Sequence, residues 1–343
     1  MLSVQVNLRT IVKNVTAIKK RLRAGTKFCA VVKANAYGLG LVRISKLLAP
    51  MVDYFAVATV NEGVILRQNG IKNDILVFGV CEEIETAIQH NLTITIENVS
   101  QARSLRKHKL HPRIHLAINT GMNRFGLSSI HDLRTILQIL NQEQITGIYT
   151  HLAYEDDQPD MIKTAIERFQ TFTKICQKYF PHILTHAGCS GVINYPAAHF
   201  DMVRIGKALY GGTHDTQTAL TVTSQIVAVK KIKNGATVGY NGIYTAPHSM
   251  LVGIVRGGYA NGIPMQFSGK VKVMVGKQHC LIIGRVCMDY CFIDVTNVAN
   301  PLGRTVTFIA PQNGQNLFQV AKQAEMVTCN LLLSLTQTQD RQL

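Results

Sequence analysis

A chain of 343 residues, 47% of them hydrophobic, can bury a large core, which excludes a disordered chain and allows two domains. Its 36 Lys and Arg against 20 Asp and Glu give a formal charge of +16, compatible with nucleic acid, a membrane surface or anionic ligands. The basic residues are scattered, and their densest run, Lys19-Lys20-Arg21 with Arg23, falls on an amphipathic helical pattern, so a solvated face is expected and a nucleic-acid partner is not.

From its first residues the chain alternates two periods. Leu8, Ile11, Val12, Val15, Ile18 and Leu22 repeat at helical spacing. Arg9 and Lys13 interrupt the same stretch, which excludes a signal-like apolar core, and no later run approaches the roughly 18 to 20 apolar residues that cross a bilayer. A cytoplasmic protein with no membrane partner is expected. The run Phe28 to Val32 then reads as a buried strand closed by Lys33. Further short apolar runs follow at Tyr54 to Val60, Ile75 to Val80, Leu92 to Ile96, Ile114 to Asn119, Ile145 to His151, Ile183 to Ala187 and Met202 to Ile205. Helical stretches such as Ile162 to Tyr179 separate most of them. Eight βα units in succession predict an α/β fold, a (β/α)8 TIM barrel.

After Gly211-Gly212 the texture changes. Strand signals at Thr221 to Val229, Ser249 to Val255, Val271 to Val275, Cys280 to Val286, Cys291 to Val295 and Thr305 to Ile309 are punctuated by Asn-Gly and Gly-Gly turns. The expected organisation is a barrel over residues 1–215 and a mainly β C-terminal domain over 216–343, with Thr213 to Thr218 as the linker. The chain's eight cysteines fit reduced thiols. Cys280, Cys287 and Cys291 lie in alternating strand-like sequence and read as structural thiols, so no metal is expected.

A parallel barrel binds its ligand at the C-terminal ends of its strands. Those ends carry Lys33 and Tyr37 after the first strand, Arg124 after the fifth, His151 closing the sixth, Ser190 after the seventh, and Arg204 with Gly206 at the eighth. Singly, each has a structural explanation: a solvated strand end, a surface ion pair, a core histidine, turn residues, a buried arginine. Together on one rim they describe a site for an anionic, phosphorylated ligand with an amine at its centre.

The segment "VVKANAYGLG" resembles the pyridoxal-phosphate lysine motif of the bacterial alanine racemase family, and "TGMNRFG", "YTHLA", "MVRIGKALYG", "VGYNGIYTA", "GGYANG" and "GRVCMDY" are similar to its other motifs in the same order. The resemblance runs over essentially the whole chain. It implies pyridoxal 5'-phosphate as cofactor, a head-to-tail homodimer, and interconversion of L- and D-amino acids, most directly alanine for peptidoglycan precursors. It also implies the roles of individual residues. Lys33 would hold the cofactor through a carbon–nitrogen double bond and serve as one base, because a lysine in a partly desolvated site beside other cations gives up its proton more readily than one in water. Tyr240, from the partner subunit's β domain, would be the second base, assisted by His151 hydrogen-bonded to Arg204. Arg204 would face the pyridine nitrogen and Arg124 the ring's phenolic oxygen. The phosphate would be held by Tyr37, Ser190 and the backbone N–H groups of Gly206 and Lys207. Met288 would meet the substrate carboxylate, and Tyr259 and Asp289 would line the entrance.

Several positions depart from the family pattern. A lysine, commonly carbamylated, and an aspartate usually precede "TGM"; here those positions are Ala117 and Asn119. A chloride, a water or another side chain is therefore expected beside Arg124, since an unpaired buried guanidinium is costly. Cys189 stands for an asparagine, Asn261 for an entrance aspartate, Lys207 for an apolar residue, and Leu333 for a tyrosine that narrows the site. The residues the chemistry requires are all present, so a racemase is expected, with serine or a broader range of amino acids as the alternative substrate class. A non-catalytic cofactor-binding protein and a decarboxylase of the same barrel type are the competing readings. Tyr240 and Met288 argue against the first, and the strand-end motifs and chain length against the second.

Overall fold

In the computed structural model, which describes residues 2–140, 144–154, 158–189, 191–312 and 314–336, packing divides the chain into two compact units. One comprises Val15–Ala36 and Gly40–Gly206, the other Met1–Asn14, Tyr37–Leu39 and Lys207–Leu343.

The first unit is a closed parallel barrel of eight strands in chain order: β2 (Lys27–Val31), β3 (Tyr54–Val57), β4 (Asp74–Val77), β5 (Thr93–Ile96), β6 (Arg113–Ile118), β7 (Ile145–His151), β8 (Leu184–Gly188) and β9 (Met202–Ile205). Each of the eight expected apolar runs is one of these strands. They read as nearly continuous apolar stretches because a parallel strand is buried on both faces. The helix α1 (Leu8–Lys19) precedes β2, and the barrel's crossovers are α2 (Leu41–Leu48), α3 (Val60–Gln68), α4 (Ile84–Gln89), α5 (Val99–Lys107), α6 (Ile130–Ile139) and α7 (Pro159–Tyr179). Their starts are written in the sequence. Thr59, Asn98 and Ser129 accept hydrogen bonds from the N–H groups of Glu62, Gln101 and Asp132 at 3.2, 2.9 and 3.0 Å, each cap adding about 1 kcal/mol. Pro159 begins α7, where its missing N–H costs nothing.

The barrel interior is layered by strand register. One row runs Thr95, His115, Gly147; the next Ala117, Tyr149, His186; the uppermost His151, Gly188, Arg204. Glycine alternates with a large polar side chain for a steric reason. A Cβ on Gly147 would lie 2.5 Å from the His115 ring, and one on Gly188 would lie 2.7 Å from Arg204 Nη2. His115 is fully buried, so Gly147→Ala is expected to overpack the interior and cost about 1–3 kcal/mol. A urea unfolding midpoint matching the parent chain would show that the ring has room to move.

The second unit is a seven-stranded antiparallel sheet in the order β1-β10-β13-β16-β15-β14-β17, with β17 also pairing back onto β10. Its strands are β1 (Ser3–Val6), β10 (Leu220–Ile232), β13 (Met250–Arg256), β14 (Lys272–Val275), β15 (Gln278–Ile283), β16 (Tyr290–Asp294) and β17 (Thr305–Ile309), and a short hairpin joins β11 (Thr237–Val238) to β12 (Tyr244–Thr245). The 13-residue β10 makes this possible, since its first part pairs with β1 and β17 and its last part with β13. The chain ends in α8 (Leu317–Gln323) and α9 (Thr328–Thr336).

Two features differ from the sequence expectation. The compact units are not the linear segments 1–215 and 216–343, because β1 adds to β10 and so carries the N-terminus into the β unit. The β domain also closes with two helices. Cys280 and Cys291 are buried, with burial raising their thiols to about 11 and about 12. No group of three or more His, Cys, Asp or Glu among the described residues could hold a metal. No helix of the described residues is long and apolar enough to cross a membrane.

Candidate active site

Lys33 leaves the barrel one residue after the buried Val32 and is itself half-buried. The backbone then does something uncommon. Ala34, Asn35, Ala36 and Tyr37 all adopt left-handed conformation, with φ between 52° and 57°. Each such non-glycine residue costs roughly 1–2 kcal/mol, and strain of this kind persists only where the surroundings impose it. They do so here. Asn35 Oδ1 accepts from the Leu41 N–H at 2.7 Å, Glu62 Oε1 accepts from the Asn35 N–H at 3.2 Å, and the Ala36 N–H donates to the Val32 carbonyl at 2.8 Å. The small side chains of Ala34 and Ala36 suit a tight turn that brings backbone N–H groups close beside Lys33.

Arg124 is carried by the loop after β6, and Asn119 organises that loop. Its Oδ1 accepts from the N–H groups of Gly121 and Asn123 at 3.1 and 3.0 Å, and its Nδ2 donates to Asn123 Oδ1 and Ser128 Oγ at 2.8 and 2.9 Å. Thr120 Oγ1 meets Thr150 Oγ1 at 2.7 Å, tying the loop to β7 just before His151. His151 is exposed at the rim of the single chain, with protein packed densely around it. Burial, then the charges of Arg204, Arg124 and Lys33, push its pKa down to about 3. His151 is therefore neutral at physiological pH, and the positive charges of Arg204, Arg124 and Lys33 all reach it.

Arg204 is buried in β9 with its guanidinium 4.4 Å above the Tyr149 ring. The resemblance implies His151 as its hydrogen-bond partner. The guanidinium instead donates to His186 Nδ1 at 2.8 Å and to the Thr150 carbonyl at 2.9 Å. Register explains the difference: β8 lies between His151 and Arg204, so His186, on that neighbouring strand, is the nearer acceptor. A guanidinium only donates, so His186 Nδ1 must be unprotonated. Its Nε2–H then donates to His115 Nδ1 at 2.9 Å, which in turn places the His115 proton on Nε2, an atom with no partner among the described residues. Burial and the Arg204 charge hold both rings neutral, His115 at about 3 and His186 well below the usual range. Arg204 is thus fixed by a chain of two tautomer-locked histidines. Sequence reading missed His115 and His186, although each is a polar residue inside an otherwise apolar strand, at a spacing that faces inward.

Of the remaining expected residues, Ser190 lies outside the described residues and all but Gly206 of the others belong to the β unit. Gly206 ends the barrel unit, and Lys207 opens a short 3-10 turn, Lys207–Tyr210. Tyr37 packs against Tyr210 with ring centroids 5.1 Å apart, and burial raises its phenol far above the ordinary value, so its hydroxyl stays a donor. Tyr240 follows β11 and is 66% exposed. Tyr259 and Met288 are neighbours: the N–H groups of Tyr259 and Ala260 donate to the carbonyls of Cys287 and Met288 at 3.0 Å, and the Gly257 N–H donates to that of Asp289 at 2.7 Å.

A closed parallel barrel whose C-terminal rim gathers a lysine, two arginines and a neutral histidine, with a β unit in the same chain, defines an enzyme of the barrel strand-end class. The profile described as "Alanine racemase, N-terminal domain" matches residues 6–214, and "Alanine racemase, C-terminal domain" matches 219–343. This chain belongs to the alanine racemase family. It is 35% identical over 331 residues to the alanine racemase of Streptococcus pyogenes serotype M2 (strain MGAS10270), covering 91% of this chain and 89% of that protein. It is 31% identical over 355 residues to that of Ligilactobacillus salivarius (strain UCC118), covering 97% and 95%. Among solved structures, the biosynthetic alanine racemase from Pseudomonas aeruginosa superposes with a TM-score of 0.88 at 25% identity, over 98% of this chain and 97% of that one.

Proposed function

We propose that this chain interconverts L- and D-alanine with pyridoxal 5'-phosphate as cofactor, acting as a head-to-tail homodimer in the cytoplasm and supplying D-alanine for peptidoglycan. The observation that carries this reading is the neutral His151 set among Lys33, Arg124 and Arg204 on one rim. Cations converging on a neutral imidazole suit a ligand that brings a phosphate and a carboxylate.

The residues fit the cofactor's chemistry. A ring bearing an aldehyde, a phosphate and a basic nitrogen needs a primary amine, hydroxyl and amide donors, and a fixed partner for the nitrogen. Lys33 supplies the amine. Tyr37, kept protonated by burial, would donate to the phosphate together with Ser190 and the N–H groups of Gly206 and Lys207. Arg204 would face the nitrogen and Arg124 the phenolic oxygen. When bound, the cofactor supplies an electron sink that acidifies the substrate Cα–H.

Racemisation then asks two groups to exchange a proton with Cα from opposite faces. Lys33 Nζ would take or return it on one face, and the Oη of Tyr240 of the partner subunit on the other. Neutral His151 can accept a hydrogen bond from that phenol and ease loss of its proton. Arg204 would donate to the ring nitrogen without giving up its proton, which would favour return of the proton to Cα over reaction elsewhere on the ligand. Met288, Tyr259 and Asp289 would bound the substrate carboxylate and the entrance. The exposed Tyr240, Ile243, Met288 and Tyr290 of the β unit form the kind of surface a second subunit covers.

Leu333 on α9 is half-buried and has no hydroxyl, which favours a roomier site and a second reading with serine or larger substrates. The test is racemisation of L-alanine, serine, methionine, lysine and arginine by the purified chain with added cofactor. Alanine turnover is expected. Turnover of alanine far above all others would remove the broad-range reading, and no turnover of any amino acid would refute the racemase assignment.

A further inference from the structure

Glu97 is a carboxylate at a place where barrel interiors keep apolar or hydrogen-bonded side chains. It follows β5 and is only 7% exposed. Burial pushes its carboxyl up, and the charge of Arg124 pulls it back down. Register fixes where the side chain lies. Strands β5 and β6 pair Thr95 with His115 and Ile96 with Leu116, and continuing that register one residue past the end of β5 sets Glu97 opposite Ala117. Alternation puts both on the inward face that Thr95 and His115 occupy. Ala117 pairs in turn with Tyr149, the ring beneath the Arg204 guanidinium, and the phenol of Tyr149 feels the charges of Glu97 and Arg124 alike. Register and burial place Glu97 on the rim beside the strand end from which the Arg124 loop departs, and the charge of Arg124 reaches its carboxyl.

The two charged partners are held very differently. The Glu97 backbone N–H donates to Gln101 Oε1 at 2.8 Å, and Asn98 caps the helix that follows, so the backbone that carries the acid is held at both strand end and helix start. The short side chain of Ala117 leaves room next to it. Arg124 stands on an exposed loop, its guanidinium 5.9 Å from the centre of the Phe125 ring. A buried anion near the base of an exposed loop biases which way a long cation on that loop turns, because the attraction grows as water is excluded. Glu97 also offsets part of the positive charge that Arg124 brings to the rim.

We propose that Glu97 is a positioning residue for Arg124: its carboxylate, fixed beside Ala117, draws the Arg124 guanidinium inward, toward the ligand that Lys33 holds. This inference rests on the cofactor-dependent reading of the same rim. The experiment is a double-mutant cycle of Glu97→Gln and Arg124→Ala, read by cofactor titration of the apoenzyme and by KM and kcat for L-alanine. Once the guanidinium has turned inward, a contacting charged pair couples by an amount that corresponds to about 2- to 150-fold. In the parent background Glu97→Gln is expected to raise the cofactor dissociation constant and KM about tenfold, with kcat changed less than about threefold; in the Arg124→Ala background the same change should act less than about twofold. Equal effects in both backgrounds would mean a merely structural role and overturn the inference, as would no effect in either. Should Glu97→Gln fail to fold, Glu97→Asp runs the same cycle with a smaller expected loss, and additivity there overturns the inference equally. A parent chain that neither binds the cofactor nor racemises any amino acid brings down both the broader reading and this one, whereas additivity in an active enzyme removes this one alone.

Discussion

Replacing Lys33 with alanine is expected to lower racemisation by about 10⁴-fold or more, because the change removes at once the amine that holds the cofactor and a base that must stand beside Cα. The structure separates this loss from a folding defect. Lys33 lies at the rim, half-buried, after a strand whose residues Phe28 to Val32 are all buried. Its truncation therefore leaves the barrel core untouched. The left-handed run that follows is held by Asn35, Glu62 and backbone bonds. Thermal unfolding of Lys33→Ala should accordingly stay within a few degrees of the parent chain. The absorbance at the edge of the visible that marks cofactor joined to an amine should vanish, and a small primary amine added to the variant should restore part of the activity. Retention of more than about one hundredth of the parent rate would show that the base is elsewhere.

How much of this was legible in the sequence follows from the range over which each feature is determined. The barrel strands are continuous apolar runs between helical stretches, so each announces itself within a few residues. β1 does not: four residues, Ser3–Val6, become a strand because they pair with Leu220 to Thr223, more than half the chain away, and no local pattern carries that information. The left-handed run after Lys33 was equally hidden. Alanine and tyrosine carry no preference for positive φ, and the conformation is imposed by Glu62 and Leu41 through Asn35.

The site divides the same way. Lys33, His151, Arg124 and Arg204 were found because strand ends are where a barrel binds, and they do share one electrostatic neighbourhood. His115, His186 and Glu97 were passed over because in single strands such as "RIHLAI" a polar residue looks like an exception to an apolar rule. Only closure of the barrel turns these exceptions into a column, with Arg204 at the top dictating the tautomers of both histidines below it. The glycines make the same point. Gly147 and Gly188 are unremarked letters in two strands until register sets each against a large neighbour on the next strand.

Tyr240→Phe is expected to leave cofactor absorbance and stability unchanged while lowering racemisation by about 10²- to 10⁴-fold, the range that a positioned acid/base group contributes. The side chain is 66% exposed in the single chain, and removing one hydroxyl takes away no buried contact there, so a loss does not arise from folding. The form of the loss is constrained. Two enantiomers are equally stable, so kcat/KM must fall equally for L- and D-alanine whichever base is removed. The asymmetry has to be sought in isotope exchange. In deuterated water the enantiomer whose Cα–H faces Lys33 should still wash deuterium into Cα with retention of configuration, because Lys33 Nζ can remove that proton and return a solvent-derived one on the same face. The other enantiomer should lose exchange and racemisation together. Exchange surviving for both enantiomers would mean that a group other than Tyr240 serves the second face. Exchange lost for both would mean that the phenol orients the substrate instead of moving its proton. The split outcome alone supports one base from each of the two units of this chain's fold, with the lysine of the barrel and the tyrosine of the β unit each serving its own face of Cα.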